Sequence, residues 1–249
     1  MAETTAEPAG RRRDERVGRR NVVRQLLGRP ELGAVAGAII VWAFFAITAG
    51  DNGFLSERGT ASYLEVSAEL GIMAVAVALL MIGGEFDLSV GSVIGASSMT
   101  IAILTTESGW NIWPAILAAF AVALAIGFVN GMLVVKTGLP SFIITLGALF
   151  AVRGATIGLT REITGRTQVP GVDEAGGFGL AEDIFTTEIS GEFAISIVWW
   201  LGLAAIATWI LLRTRFGNWI FGAGGSKEAA RNAGVPVDRV KIMLFMTSA

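Results

Sequence analysis

The chain contains no cysteine and no histidine. The first absence excludes disulfides, thiolate nucleophiles and cysteine-ligated metal sites. The second excludes histidine-based catalytic triads, the H-E-x-x-H zinc site and histidine proton relays. Charge is also scarce. Only 16% of the 249 residues are Asp, Glu, Lys or Arg, where about a quarter is usual for a soluble domain. The charges are unevenly placed, so long stretches carry none. Those stretches are apolar: 53% of residues are hydrophobic and the mean hydropathy is +0.64. A bilayer core takes about 20 apolar residues per helix, and several stretches meet that. The expected fold class is all-α, a polytopic transmembrane helical bundle.

The apolar runs divide the chain into a basic arm, residues 1–30, and a membrane domain, residues 31–249. Six full spans are expected, at about 32–50, 61–82, 88–105, 112–135, 141–159 and 193–212. The start of a seventh follows in "VKIMLFMTSA". Its residues 240–249 fall far short of a ~30 Å core and are expected to be weakly held. The net charge of −2 says little, because placement carries the information. Arg11, Arg12, Arg13, Arg16, Arg19, Arg20, Arg24 and Arg29 precede the first span. If they are inside, parity puts Lys136 inside, and with it the segment 213–239, which holds Arg213, Arg215, Lys227, Arg231 and Arg239, and Lys241 just after it. Loop 160–192 is then external. It is acidic, with Glu162, Asp173, Glu174, Glu182, Asp183, Glu188 and Glu192. The agreement of the loops places the N-terminus in the cytosol and the protein in the cell membrane. The arm lacks the cleavage site of a signal peptide. It reads as a solvated orientation signal, the alternative being a helix lying on the inner leaflet, since arginines attract anionic lipid heads.

The stretch "MIGGEFDLSVGS" puts two acids between two apolar runs. Gly83 and Gly84 suit a left-handed helix end. Asp87 or Ser89 suits the cap of the next helix. A surface turn accounts for the glycines and the cap, and less well for Glu85 and Phe86. At membrane depth, unwound backbone must be buried in protein or line a cavity, and acids there mark a functional path. The candidate path residues are Glu85, Asp87, Ser89, Asn130, Ser141, Thr145 and Arg153. Buried Ser and Thr often bond their own helix, so each alone reads as structural. Arg153 is expected either to pair with Glu85 or Asp87 or to reach the outer face. Pairs of small residues four apart, Gly91 with Gly95, Gly127 with Gly131 and Gly154 with Gly158, suit close helix approach in lipid. No catalytic constellation or cluster of acids for a metal stands out, so no enzyme is expected. Further on, "SKEAARNAG" reads as a short helix, with Ser226 as N-cap, Glu228 in the first turn, Arg231 late and Gly234 as terminator.

Three stretches occur in order: "GGEFDLSVGSVIGAS", "GFVNGMLVVKTGLPSFIITLGALFAVRGATIGLT" and "FGNWIFGAGGSKEAARNAGVPVDRVKI". Together they resemble the membrane permease of bacterial ABC importers for monosaccharides, the ribose/xylose-type branch, over roughly residues 65–246. The resemblance implies a permease dimer, homodimeric or paired, in membrane lipid. It implies a cytosolic ATPase subunit as partner and an external sugar-binding protein that delivers the solute. ATP would be used by the partner, with no cofactor on this chain and no nucleic acid involved. The chain itself has no G-x-x-x-x-G-K-[ST] phosphate loop. The resemblance also makes Gly224, Gly225, Glu228, Ala229, Ala230, Arg231 and Gly234 the segment that docks on the ATPase. Two departures stand out. The family commonly has one residue between the glycine pair and Asp-Leu-Ser, and this chain has Glu85 and Phe86. The family also continues for several helices beyond this point, so a truncated product, a fragment or one gene of a split permease is expected. The alternatives to the ATP-driven reading are an ion-gradient-driven carrier for a small polar solute and a non-transporting fragment.

Overall fold

A computed structural model describes residues 30–189 and 191–249, and the described residues contain helices and no named strand. The arginine-rich arm, residues 1–29, and its expected cytosolic place lie outside the described residues. The helices are α1 Pro30–Ala49, α2 Glu57–Ile82, α3 Val90–Thr106, α4 Ile112–Thr137, α5 Ser141–Thr164, α6 Phe178–Phe185, α7 Ser196–Arg213, α8 Arg215–Gly225, α9 Lys227–Asn232 and α10 Val237–Ser248.

The described residues fall into two units, 30–56 and 57–249. In the first, α1 is apolar on all sides, which suits a helix surrounded by lipid. It ends in the 3-10 turn Gly50–Asn52, closed by Gly53 at φ 93°. The Phe54 ring then folds back to within 5.9 Å of the Phe45 ring centre.

In the second unit α3 packs against α4 and α5, α10 against α4 and α2, and α7 against α2. Of the six full spans expected, five reach the length and hydropathy of a crossing helix: α1, α2, α4, α5 and α7. The sixth, α3, has 17 residues, about 25 Å at ~1.5 Å per residue. That is shorter than a core of about 30 Å, so the unwound segment before α3 bears on the crossing.

The seventh segment corrects its expectation. α10 is among the most deeply packed helices, with Leu244 and Phe245 fully buried and Val240 1% exposed. It is held by a glycine face. A Cβ at Gly131 would lie 2.8 Å from Ile242 Cα, and one at Gly127 2.8 Å from Met246 Cα. Only glycine lets the two backbones meet so closely. The other glycine pairs do not behave this way, since a Cβ at Gly91, Gly95, Gly154 or Gly158 would meet nothing within 4 Å.

Loop 160–192 is also more ordered than a plain loop. α5 runs on to Thr164, the turn Val172–Glu174 follows, and then α6. Asn111 caps α4 by accepting the Trp113 N–H at 3.1 Å, and the Ile112 N–H reaches Gly176 O at 3.0 Å. The Phe185 ring sits between the Trp113 and Trp199 rings, 6.4 and 6.1 Å away. Trp199 Nε1 donates to Ile184 O at 2.9 Å.

Candidate functional site

The break between α2 and α3 is the polar centre of the bundle. α2 ends as its glycines suggest. Gly84 adopts φ 80°, its N–H reaches Met81 O at 3.0 Å, and the Glu85 N–H reaches Leu80 O at 3.2 Å. This paired left-handed cap satisfies two of the helix's last carbonyls and aims Glu85 inward. From there the chain runs unwound to Ser89, and its side chains alternate. Glu85, Asp87 and Ser89 are buried while Phe86 is 39% exposed.

Unwound backbone inside a bundle needs partners from other helices, and α5 supplies them. Ser141 Oγ accepts the Phe86 N–H at 3.0 Å, and Thr145 Oγ1 accepts the Leu88 N–H at 3.1 Å. Asp87 accepts the Ser89 N–H at 2.8 Å and the Ser89 Oγ–H at 2.6 Å on Oδ1. Its Oδ2 accepts from Ser248 Oγ of α10 at 2.9 Å. Asn130 of α4 donates to Ser89 Oγ at 2.9 Å. Neither Asp87 nor Ser89 caps α3 as expected. Ser89 makes no side-chain cap bond, and Asp87 ties the break internally and to α10.

Glu85 meets charge rather than open polar space. Its Oε1 accepts from Lys227 Nζ of α9 at 3.1 Å and from Lys241 Nζ of α10. Glu85 is 7% exposed, so both ammonium groups meet it away from water. Lys241 is itself 4% exposed. In the sequence Lys227 and Lys241 stand out only as orientation markers, and Ser248 not at all. The available signal was a lone lysine in an apolar run, which wants a buried partner.

Six of the seven candidate path residues thus meet in one knot: Glu85, Asp87, Ser89, Asn130, Ser141 and Thr145. Arg153 stands apart. No ion pair joins it to Glu85 or Asp87 among the described residues. It lines a 420 Å³ cavity between α3 and α5, together with Gly91, Ser92, Gly95, Thr156 and Thr160. The open glycine face of α3 is one wall of that space.

The segment after α7 has the local structure its sequence suggests. Ser226 Oγ accepts the Ala229 N–H at 3.3 Å. Gly234 adopts φ 83°, and the Gly234 and Val235 N–H groups reach Arg231 O and Ala230 O, each at 2.9 Å. Arg231 pairs with Asp238 at the surface. Glu228, Ala229 and Gly225 are exposed. Ala230 does not belong to an outward face: it is 6% exposed and packs into the chain's own core with Ile220, Val237 and Phe245. Gly224 is exposed and also lies close to the end of α2, where a Cβ on it would collide with Ile82 O.

Residues 59–249 match the family described as "Branched-chain amino acid transport system / permease component". The chain belongs to this family. Among its relatives, the xylose transport system permease of Escherichia coli K12 is 29% identical over 85% of this chain and 66% of that protein. The ribose import permease of the same strain is 30% identical over 84% of this chain and 62% of its own length. The autoinducer 2 import permease of Klebsiella pneumoniae is 31% identical over 71% of this chain and 52% of its own. The chain thus spans between about half and two thirds of the length of these curated relatives. No solved structure matches it. The family and the apolar helices make it a multi-pass membrane protein.

Proposed function

We propose that this chain forms the translocation path of an ATP-driven importer for a monosaccharide, working by alternating access. Two of its relatives carry xylose and ribose in their names. The observation that carries the reading is the ionic tie between the break and the segment after α7, Lys227 to Glu85. A transporter driven from outside the membrane needs such a connection between a surface segment and the interior. In this reading a cytosolic ATPase subunit supplies the energy and docks on exposed Gly225, Glu228, Ala229 and Arg231. Gly224 is exposed beside them, and Ala230 shapes that segment from inside. A binding protein delivers the sugar on the opposite side, and a second permease copy completes the membrane part. The N-terminus is cytosolic. The solute passes the cavity at Arg153, whose guanidinium supplies donors to sugar hydroxyls, while the Asp87 knot holds the break beside it. The chain itself catalyses no hydrolysis.

The test is uptake of labelled xylose and ribose into vesicles holding the permease with its ATPase and binding protein. ATP-dependent uptake is expected. Uptake that persists without ATP and collapses with an ionophore would replace this reading with an ion-driven carrier.

A further inference from the structure

One carboxylate oxygen, Glu85 Oε1, holds two ammonium groups from two different helices. The two are not equivalent. The Lys241 and Glu85 side chains are each 5% exposed, whereas the Lys227 side chain is 56% exposed. Glu85 and Lys241 are a buried pair, and removing either leaves an uncompensated buried charge. Lys227 is a second cation on an anion that already has a partner. If Lys227 leaves, Glu85 stays paired, and the freed ammonium, carried on a side chain already 56% exposed, completes its hydration. Arg231 also lies one turn along α9, and like charges four apart on a helix repel. The Lys227 contact is therefore cheap to open, and the Lys241 contact is not.

The surrounding geometry makes that contact consequential. α9 has six residues and is fixed at both ends, by the Ser226 cap and by the left-handed Gly234. Its neighbour, the end of α8, rests on the break itself, where a Cβ at Gly84 would lie 3.2 Å from Gly224 Cα. Glu85 is the first side chain of the unwound segment, and Asp87 and its hydroxyl partners follow directly. A displacement of α9 thus reaches the break through a single ion pair and one backbone contact.

We infer that Lys227–Glu85 is a releasable latch between α9 and the break, and that Lys241 holds Glu85 when the latch opens. Lys227 is a positioning residue: it touches no solute and acts through Glu85. What displaces α9 follows from the importer reading above, but the latch is testable without it.

The experiment uses the full chain in lipid vesicles with a single cysteine at Ala230, in a protein that has no native cysteine. That position is 6% exposed, so labelling by a water-soluble maleimide reports α9 lifting away. Lys227→Gln should raise the labelling rate about two- to fivefold, the range of a partly exposed ion pair. Lys227→Arg should return it to the starting value. Lys241→Gln should instead lower the thermal midpoint. With the ATPase present, Lys227→Gln should keep ATP hydrolysis and lose sugar moved per ATP. Unchanged labelling and an unchanged transport ratio in Lys227→Gln would overturn the latch. So would equal losses of thermal stability in the two variants with the ratio intact, because the cluster would then be a static brace. If the unaltered chain imports nothing with ATP, the importer reading fails, and the labelling arm still decides the latch.

Discussion

Replacing Asp87 with alanine should destabilise the fold by about 2–4 kcal/mol, through named unpaired groups. Asp87 is 4% exposed and accepts three hydrogen bonds, from Ser89 N–H, Ser89 Oγ and Ser248 Oγ. Ser248 is spared, since its hydroxyl also reaches Phe245 O at 3.0 Å. The Ser89 N–H is not, because Ser89 is fully buried and water does not reach it. A buried donor without a partner costs roughly 1–3 kcal/mol. The Ser89 hydroxyl, which keeps its bond from Asn130, loses its own acceptor for about 1 kcal/mol more. Asp87→Asn should be much milder, at about 1 kcal/mol or less. The amide oxygen takes the place of Oδ1, and the amide nitrogen faces Ser248 Oγ, which has lone pairs to accept. The assay is equilibrium unfolding in mixed micelles, followed by loss of helical signal, on the two variants side by side. Equal destabilisation by Asn and Ala would refute the reasoning, because the negative charge and not the acceptor geometry would then hold the break.

The same geometry sets the outcome of five further substitutions. Ala229→Glu, at an exposed position, should leave insertion and thermal stability unchanged while weakening association with the ATPase. Ala230→Glu should fail earlier, by burying a charge in the chain's own core, and a melting curve separates the two. Gly131→Val should force α10 off α4 and lower stability by about 1–3 kcal/mol or more, since overpacking at a backbone contact has little room to relax. Gly95→Ala, where space is open, should be tolerated in the same melting assay. Arg153→Gln should raise KM for sugar uptake with little change in folding; an unchanged KM would exclude the cavity at Arg153 from the path.

What was legible in the sequence was local. The glycine ends of α2 and α9 and the Ser226 cap depend on residues within one turn of each other, so a pattern of few residues determines them. The apolar runs placed five crossing helices for the same reason. The glycine pairs were legible only as a class. All three pairs suit a close crossing, but whether a partner backbone arrives depends on the tertiary path, and only Gly127 and Gly131 meet one. Ala230 shows the same limit at a single residue. Its small side chain fits a groove on a partner as well as a slot in its own core. The three-residue step back to Lys227 does not say which way the face turns.

The two acids of the break show why sequence separation hides a site. Glu85 and Lys241 are 156 residues apart, and Asp87 and Ser248 are 161 apart. Each acid, taken alone, fits a turn. Lys241, taken alone, fits the basic edge that the topology rule assigns to the cytosol. A charge near the end of an apolar helix has two physical solutions: it reaches water or it finds a counter-charge in protein. Lys227 takes both, with its ammonium on Glu85 and its side chain 56% exposed. Lys241 takes only the second, because α10 is pulled deep against the glycines of α4. The choice between the solutions is made by Gly127 and Gly131 on a third helix. A replacement at either glycine should therefore weaken the Glu85 ion cluster without touching any charged residue.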